Sequence, residues 1–395
     1  MAEDSLRLTR FQIGAITLAT AMVAASRYYC QPLLADMSRA LHLTTAQAGL
    51  VPTCTQSGIA LGLLLFVPLG DLVERRRLTV TLLLAVAGAL GLTAVAFNTT
   101  LLLVAALFTG VFAAVSQLMV GLAASFAIPS QRGRVVGTVT GGLLIGVLSA
   151  RTIAGVVGAA FGWRAMYLLG AAAMCLLALV LARALPHSRP TQAMRYSQLL
   201  GSLLVLVREE HELREAALLG ALAFAALNAF WTILVFFIAV PPYHYGTTAA
   251  GLFGLAGIAG ALVAPVVGHV SDRSGPRFAD LIALNLGFLS FVLLFIAGRH
   301  LAGLIAGIVL LDLATQANLV TNQTRIYSLR PDAANRLNTV YMASYFAGGA
   351  LGAAIGSLLW NRFGWTGLCA LGAALFAAAL IVLLRGKQFA SIGPA

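Results

Sequence analysis

Charge is what this chain has least of. Of its 395 residues only 10% are Asp, Glu, Lys or Arg, against about 25% in soluble globular domains. That deficit excludes an ordinary water-soluble domain. A single lysine, Lys387, leaves no P-loop to hold a nucleotide, so an ATP-driven pump finds no support. Neither HExxH nor GxSxG occurs. The stretch HELRE at 211–215 stops one residue type short of the zinc-protease pattern, with Glu215 where the second His would stand, and reads as a solvated helix face. The four cysteines, Cys30, Cys54, Cys175 and Cys369, lie inside apolar segments without metal or disulfide spacing, and read as buried small hydrophobes. No enzyme, cofactor or metal site is expected.

Apolar residues fill the space that charge vacates. They make up 60% of the chain, mean hydropathy is +0.93, and there are 40 glycines. A membrane span needs roughly 20 mostly apolar residues, and small residues let such helices approach closely. Spans are expected near 11–34, 46–69, 78–97, 101–126, 135–160, 165–184, 216–240, 249–270, 278–298, 301–325, 338–360 and 365–384. The run from Phe11 is too long for the apolar core of a signal peptide, so it reads as a retained first span. The fold class is therefore an all-α polytopic membrane protein, with 12 transmembrane helices in two pseudo-symmetric six-helix bundles. The expected division is 1–184, 185–215 and 216–395: two bundles and a cytoplasmic linker. Within the linker, 195–214 has the pattern of an amphipathic helix lying on the membrane surface.

The net charge of +12 does not point to nucleic acid, because the basic residues are dispersed in short loops. Of 25 Lys and Arg, 19 fall in the tails, the linker and alternate loops, whereas Arg39, Arg164, Arg299 and Arg362 occupy the opposite side. The positive-inside rule puts both termini in the cytoplasm. The location expected is a bacterial inner membrane.

The halves repeat. FGW at 161–163 recurs at 363–365, Asp71 corresponds to Asp272, and Arg134 corresponds to Arg336. The loop Gly268-HVS-Asp272-Arg273-S-Gly275-P-Arg277 resembles the G-x-x-x-D-R-x-G-x-R signature of the major facilitator superfamily. Its first-half counterpart keeps Asp71, Arg75 and Arg76 but has Val67 and Glu74 in place of the glycines. With YYCQPLL at 28–34, RGRVVG at 132–137, GWRAMY at 162–167 and PPYHYG at 241–246, the chain is similar to bacterial exporters of the drug:proton antiporter type. The resemblance implies a cytoplasmic latch. Asp71 would face the start of span eleven near Asn338, and Asp272 the start of span five near Val135, with Arg134 and Arg336 among the neighbouring basic residues. It also implies an acid deep within the first half, where Asp36 stands only at the periplasmic end of span one, and a proline-containing G-P-x-x-G-G element in span five, where Ala150-Arg151 stands instead.

Three ionisable residues are expected well inside spans: Arg27, Arg151 and Asp312. Such residues cost at least about 2.5–3.5 kcal/mol each and face a partner or a watery cavity. From the helical rise, both arginines sit about 5–7 Å to the periplasmic side of the midplane and Asp312 lies near it. Asp312, the one acid placed deep in a span, is the expected proton carrier, with Arg151 its expected partner in one state. A helix brace to backbone carbonyls is the other reading of Arg151. Thr315, Gln316 and Gln323 share the Asp312 face. Further cavity candidates are Tyr28, Tyr29, Gln31, Gln56, Gln117, Asn228, Trp231, Tyr341 and Tyr345.

The partners expected are a small-molecule substrate, protons and the lipid bilayer, with the monomer as the working unit. Three functions remain open: proton-coupled efflux of amphipathic molecules by alternating access, transport of small anionic metabolites through a positive cavity, and a membrane sensor that transports nothing.

Overall fold

The computed structural model describes residues 8–70, 72–128, 131–186, 196–257, 273, 275–330 and 333–390, the last five as backbone. Helix dominates. Span one is broken into Arg10–Ser26 and Cys30–Leu41. Spans two and three are Thr45–Leu69 and Arg75–Ala94. Span four is Thr99–Ala113 continued by Val115–Phe126. Spans five and six are Arg132–Phe161 and Trp163–Ala184. After the linker helix Tyr196–Glu209 comes span seven, His211–Ile238. Span eight opens as Thr247–Leu252 and a 3-10 turn, Phe253–Leu255, and its continuation lies outside the described residues. Spans nine and ten are Pro276–Ala297 and Leu301–Leu329, and Ala334–Ala390 holds spans eleven and twelve, broken at Gly364. Among the described residues nine helices are individually long and apolar enough to cross a membrane. The broken first span, the eighth span that is described only at its start, and the merged last pair account for the lower number.

Local chemistry sets several of these ends. The T-x-x-Q pattern recurs at the starts of spans one and two. Thr9 and Gln12, then Thr44 and Gln47, each close a reciprocal capping box on otherwise unpaired N–H groups. Asn98 caps span four through Leu101 N at 2.8 Å. Large apolar side chains such as Ile145, Ile296 and Leu351 are exposed on the outer faces, as a lipid solvent requires.

The repeat is structural. Gly162 and Gly364, the central residues of the two FGW copies, both have positive φ (83° and 58°) and turn one span into the next. Gly142 and Gly146 of span five lie against Thr17 and Ala21 of span one, and Gly348 and Gly352 of span eleven lie against Ala221 and Ala225 of span seven. A methyl at Gly146 would lie 2.7 Å from Ala21 Cα, and one at Gly352 would lie 2.6 Å from Ala225 Cα. Both halves thus join their first and fifth spans through the same small-residue contact.

The halves meet on one side of the membrane and part on the other. On the side opposite the linker helix, Gly155 of span five sits against Gly251 of span eight, where an added methyl would lie 2.7 Å from Gly251 Cα. Gly49 of span two likewise abuts Ser357 of span eleven. Thr247 donates to Asp36 at 2.6 Å and Thr152 to Gly251 O at 3.1 Å. On the linker side a cavity of about 460 Å³ opens between the halves, with walls from spans two to five and from spans ten and eleven. The linker helix buries Leu199, Leu203 and Leu206, and Tyr196 donates to Leu65 O at 2.9 Å.

Two expectations are corrected here. Cys175 is exposed and Cys54 half-buried, so only Cys30 and Cys369 are buried apolar fillers. Glu215 is buried, 4% exposed, not on a solvated face.

Candidate functional site

A polar core joins the halves just beyond the inner end of the cavity. Arg151 is 4% exposed. Its Nε donates to Gln31 Oε1 at 2.7 Å, and its guanidinium lies 4.0 Å from the Trp231 ring centroid and 5.1 Å from that of Tyr28. Gln31 Nε2 in turn donates to Asn228 Oδ1 at 3.1 Å, which also accepts from Gln56 Nε2 at 3.4 Å. Asn228 Nδ2 donates to Gly349 O at 2.8 Å. Arginine from span five, glutamines from spans one and two, and asparagine from span seven therefore form one chain across both bundles. A void of about 10 Å³ lies beside Arg151 and Trp231, the space of a single water.

Asp312 is 8% exposed and stands in the field of Arg151 without forming an ion pair with it. Its Oδ2 and the nearby Trp231 Nε1 have no hydrogen-bond partner among the described residues. Gly257 leaves room for the carboxyl, since a methyl there would lie 3.2 Å from Asp312 Oδ2. Arg27 occupies the break in span one, 4% exposed, with Nε on Ala24 O at 3.4 Å and its guanidinium 5.6 Å from the Phe346 ring centroid. The expected Arg151–Asp312 pair is thus replaced in this state by a glutamine bond and two aromatic faces.

The other candidates divide. Gln117 and Gln323 line the cavity, and Gln323 Nε2 donates to Asn338 Oδ1 at 3.2 Å. Thr315 bonds back to Leu311 O at 2.9 Å, and Gln316 is half-buried. Tyr345 stacks on Phe224 at 4.0 Å and stands in the field of Asp312. Tyr341 leans against Tyr345 but faces Asp280 and Arg325. Tyr29 packs edge-on to Tyr167 within the first bundle, so it is a core residue away from the interface.

A second buried charge cluster adds to the three ionisable residues expected inside spans. Asp280 of span nine is fully buried, accepting from Asn318 Nδ2 at 2.6 Å and Asn322 Nδ2 at 3.1 Å. Arg325, the last residue of the expected span ten, lies inside a helix that runs on to Leu329. It binds Glu215 at 2.8 Å and approaches Asp280 at 4.0 Å. Arg277 binds the other Glu215 oxygen at 2.6 Å. The two acids and two arginines balance. Asn318 and Asn322, four residues apart on one helix face opposite an acid one turn into span nine, were the available signal.

This cluster also takes in Arg277 of the expected latch. Arg277 is tied to span seven of its own bundle. Asp71, Gly268 and Asp272 lie outside the described residues. Arg75 binds Gly70 O at 3.1 Å and lines the cavity mouth, and Arg76 binds Ala182 O of span six. Arg134 and Arg273 are exposed and Arg336 is half-buried. Gly275, with φ 85°, turns the chain into span nine.

Comparison with known proteins agrees with this architecture. Transporter YgaY of Escherichia coli (strain K12) is 41% identical over 98% of each chain. Transporter SCO4007 of Streptomyces coelicolor is 37% identical, covering 92% of this chain and 85% of its own. The inner membrane transport protein YnfM of Escherichia coli is 27% identical over 90% of this chain and 86% of its own. Among solved structures, a bacterial homologue of the lysosomal transporter Spinster, in an inward-facing unoccupied conformation, superposes with TM-score 0.72 at 16% identity over 95% of both chains. The nucleoside transporter NupG superposes with TM-score 0.74 at 14% identity, covering 94% of this chain and 99% of its own. The family model described as Major Facilitator Superfamily matches residues 16–299. The chain belongs to that superfamily of membrane transporters.

Proposed function

We propose that the protein is a proton-coupled secondary transporter of small amphipathic molecules, working by alternating access as a monomer in a bacterial inner membrane. The observation that carries this reading is the asymmetry of the interface. The bundles are locked on one side through Gly155–Gly251, Gly49–Ser357 and Asp36–Thr247, and stand apart around a cavity of about 460 Å³ on the other. The distribution of basic residues makes the open side cytoplasmic, so both termini are inside. Rocking about the Arg151–Gln31–Asn228 chain would exchange the open side.

Asp312 is the proton site. It is buried, has an unbonded oxygen, and lies beside an arginine whose distance changes if the bundles rock. The resemblance to antiporters favours export. The surplus of arginine in the core favours an anionic substrate instead, and that second reading is developed below.

The test is a proteoliposome screen under an imposed pH gradient, in both orientations, with proton movement read by a trapped dye. On any compound that moves, Asp312→Asn should lose gradient-driven accumulation and keep substrate exchange. Wild-type accumulation in that variant would remove Asp312 from the mechanism.

A further inference from the structure

Resting on the transporter reading above, we propose that the substrate is a small organic anion with an aromatic or apolar body, and that the anion and a proton travel together. The core holds two buried arginines and one acid. Neither Arg27 nor Arg151 meets a carboxylate within ion-pair distance among the described residues. The sequence from 258 to 271 contains no acidic residue, so the continuation of span eight supplies none. Asp36, the remaining acid of span one, is bound by Arg39 and Thr247. With Asp312 ionised the core carries one net positive charge, and with Asp312 protonated it carries two. Buried cations left in this condition favour whatever anion can reach them.

The geometry suits a carboxylate or sulfonate. The Nε of each arginine is already committed, to Ala24 O and to Gln31 Oε1, and the η nitrogens make no hydrogen bond among the described residues. A guanidinium presents those two donors as a fork that matches an anion's paired oxygens. Trp231 and Tyr28 hold the plane of Arg151, and Phe346 carries Arg27. The same rings, with Tyr345 and Phe224, offer an aromatic wall to the rest of the molecule. The core is closed in this state, with Arg27 and Arg151 each 4% exposed and Phe346 3%, so an anion reaches it from the cavity only as the bundles move. Met342 lines the open cavity, and Phe346 stands about one turn further along span eleven, so Arg27 is the first arginine an entering anion meets.

Charge also fixes the sign of coupling. The groups facing Asp312 are Arg151 from span five, Trp231 from span seven and Tyr345 from span eleven, with Gly257 from span eight; His269 is the single titratable residue between Gly257 and Asp272. A bound anion repels an ionised Asp312 and so favours the protonated carboxyl. By linkage, the proton strengthens anion binding by the same factor. Exchange in opposite directions needs proton and substrate to exclude each other. Here they assist each other, so a proton gradient drives the anion in the direction the proton moves, inward rather than outward.

Titration calorimetry on the purified full chain in detergent tests this. The probes are benzoate, indole-3-acetate and naphthalene-2-sulfonate, against benzyltrimethylammonium and benzyl alcohol. At least one anion should bind and the cation should not. Arg27→Gln and Arg151→Gln should each weaken that anion about tenfold or more. Acidification from about pH 7.5 to about pH 5.5 should tighten it about tenfold in the wild type and leave Asp312→Asn unchanged. The pH comparison does not depend on the arginine variants folding, and their melting is measured beside it. Failure of all three anions to bind, preference for the cation, wild-type affinity in both folded arginine variants, or a pH response surviving in Asp312→Asn overturns the proposal. Anion binding together with wild-type gradient-driven transport in Asp312→Asn would instead sink the proton site and leave the anion site standing.

Discussion

Glu215→Gln should destabilise the second bundle sharply although the residue touches neither cavity nor central core. Glu215 links span seven to spans nine and ten, with Arg325 at 2.8 Å and Arg277 at 2.6 Å. The Glu215 and Arg325 side chains are 2% and 3% exposed, so losing the charge leaves Arg325 in a site with little water, with only Asp280 at 4.0 Å and the Asn322 amide oxygen at 3.1 Å. Breaking such a pair by removing one partner costs about 3–5 kcal/mol. Arg277 is 28% exposed and water screens it, so it adds little. At about 2–4 °C per kcal/mol, the melting temperature should drop by on the order of 10 °C. Glu215→Gln combined with Arg325→Gln leaves Asp280 on Asn318 and Asn322, removes the buried arginine and leaves only Arg277, which water reaches, without its partner. The double variant should therefore lose less than the sum of its singles, with a coupling of about 1–3 kcal/mol. Melts of the detergent-solubilised chain, followed by intrinsic fluorescence, give the comparison. A single variant within about 2 °C of wild type, or strict additivity, would refute the claim that this cluster holds the bundle together.

The remaining expectations concern packing and the core. Gly146→Leu and Gly352→Leu should each lower expression and melting temperature, because even a methyl at these positions would meet the backbone of Ala21 or Ala225; unchanged melts would show that the close contacts are dispensable. Asp312→Asn should melt close to wild type, since Oδ2 has no bond to lose among the described residues, and this separates its transport defect from misfolding.

The architecture was legible because its signals are long. Runs of apolar residues, alternating basic loops and the FGW repeat each span many positions, and the two FGW glycines do occupy matching positive-φ turns. The central site was legible by type and not by pairing. Arg151, Gln31, Asn228 and Trp231 stood out as polar or amphipathic residues in apolar surroundings, yet their partners lie about 80 to 200 residues away in sequence. Charge alone paired Arg151 with Asp312. Aromatic faces and an amide hold a guanidinium in place without neutralising it, and hydropathy does not register them. The Glu215–Arg325–Asp280 cluster was missed because each member sits near a span end, where a charge ordinarily reaches solvent. Only the packing of spans seven, nine and ten shows that these ends are covered.

The central claim is that the bundles rock as two bodies. Spin-label distances test it directly in a cysteine-free chain, with one pair at Arg132 and Asn335 on the open side and another at Thr44 and Asn361 on the closed side, all four exposed. In proteoliposomes, a change of pH or addition of a bound anion should shorten the first distance as it lengthens the second. Two distances that stay fixed under both treatments, or that change in the same direction, would contradict alternating access in this protein.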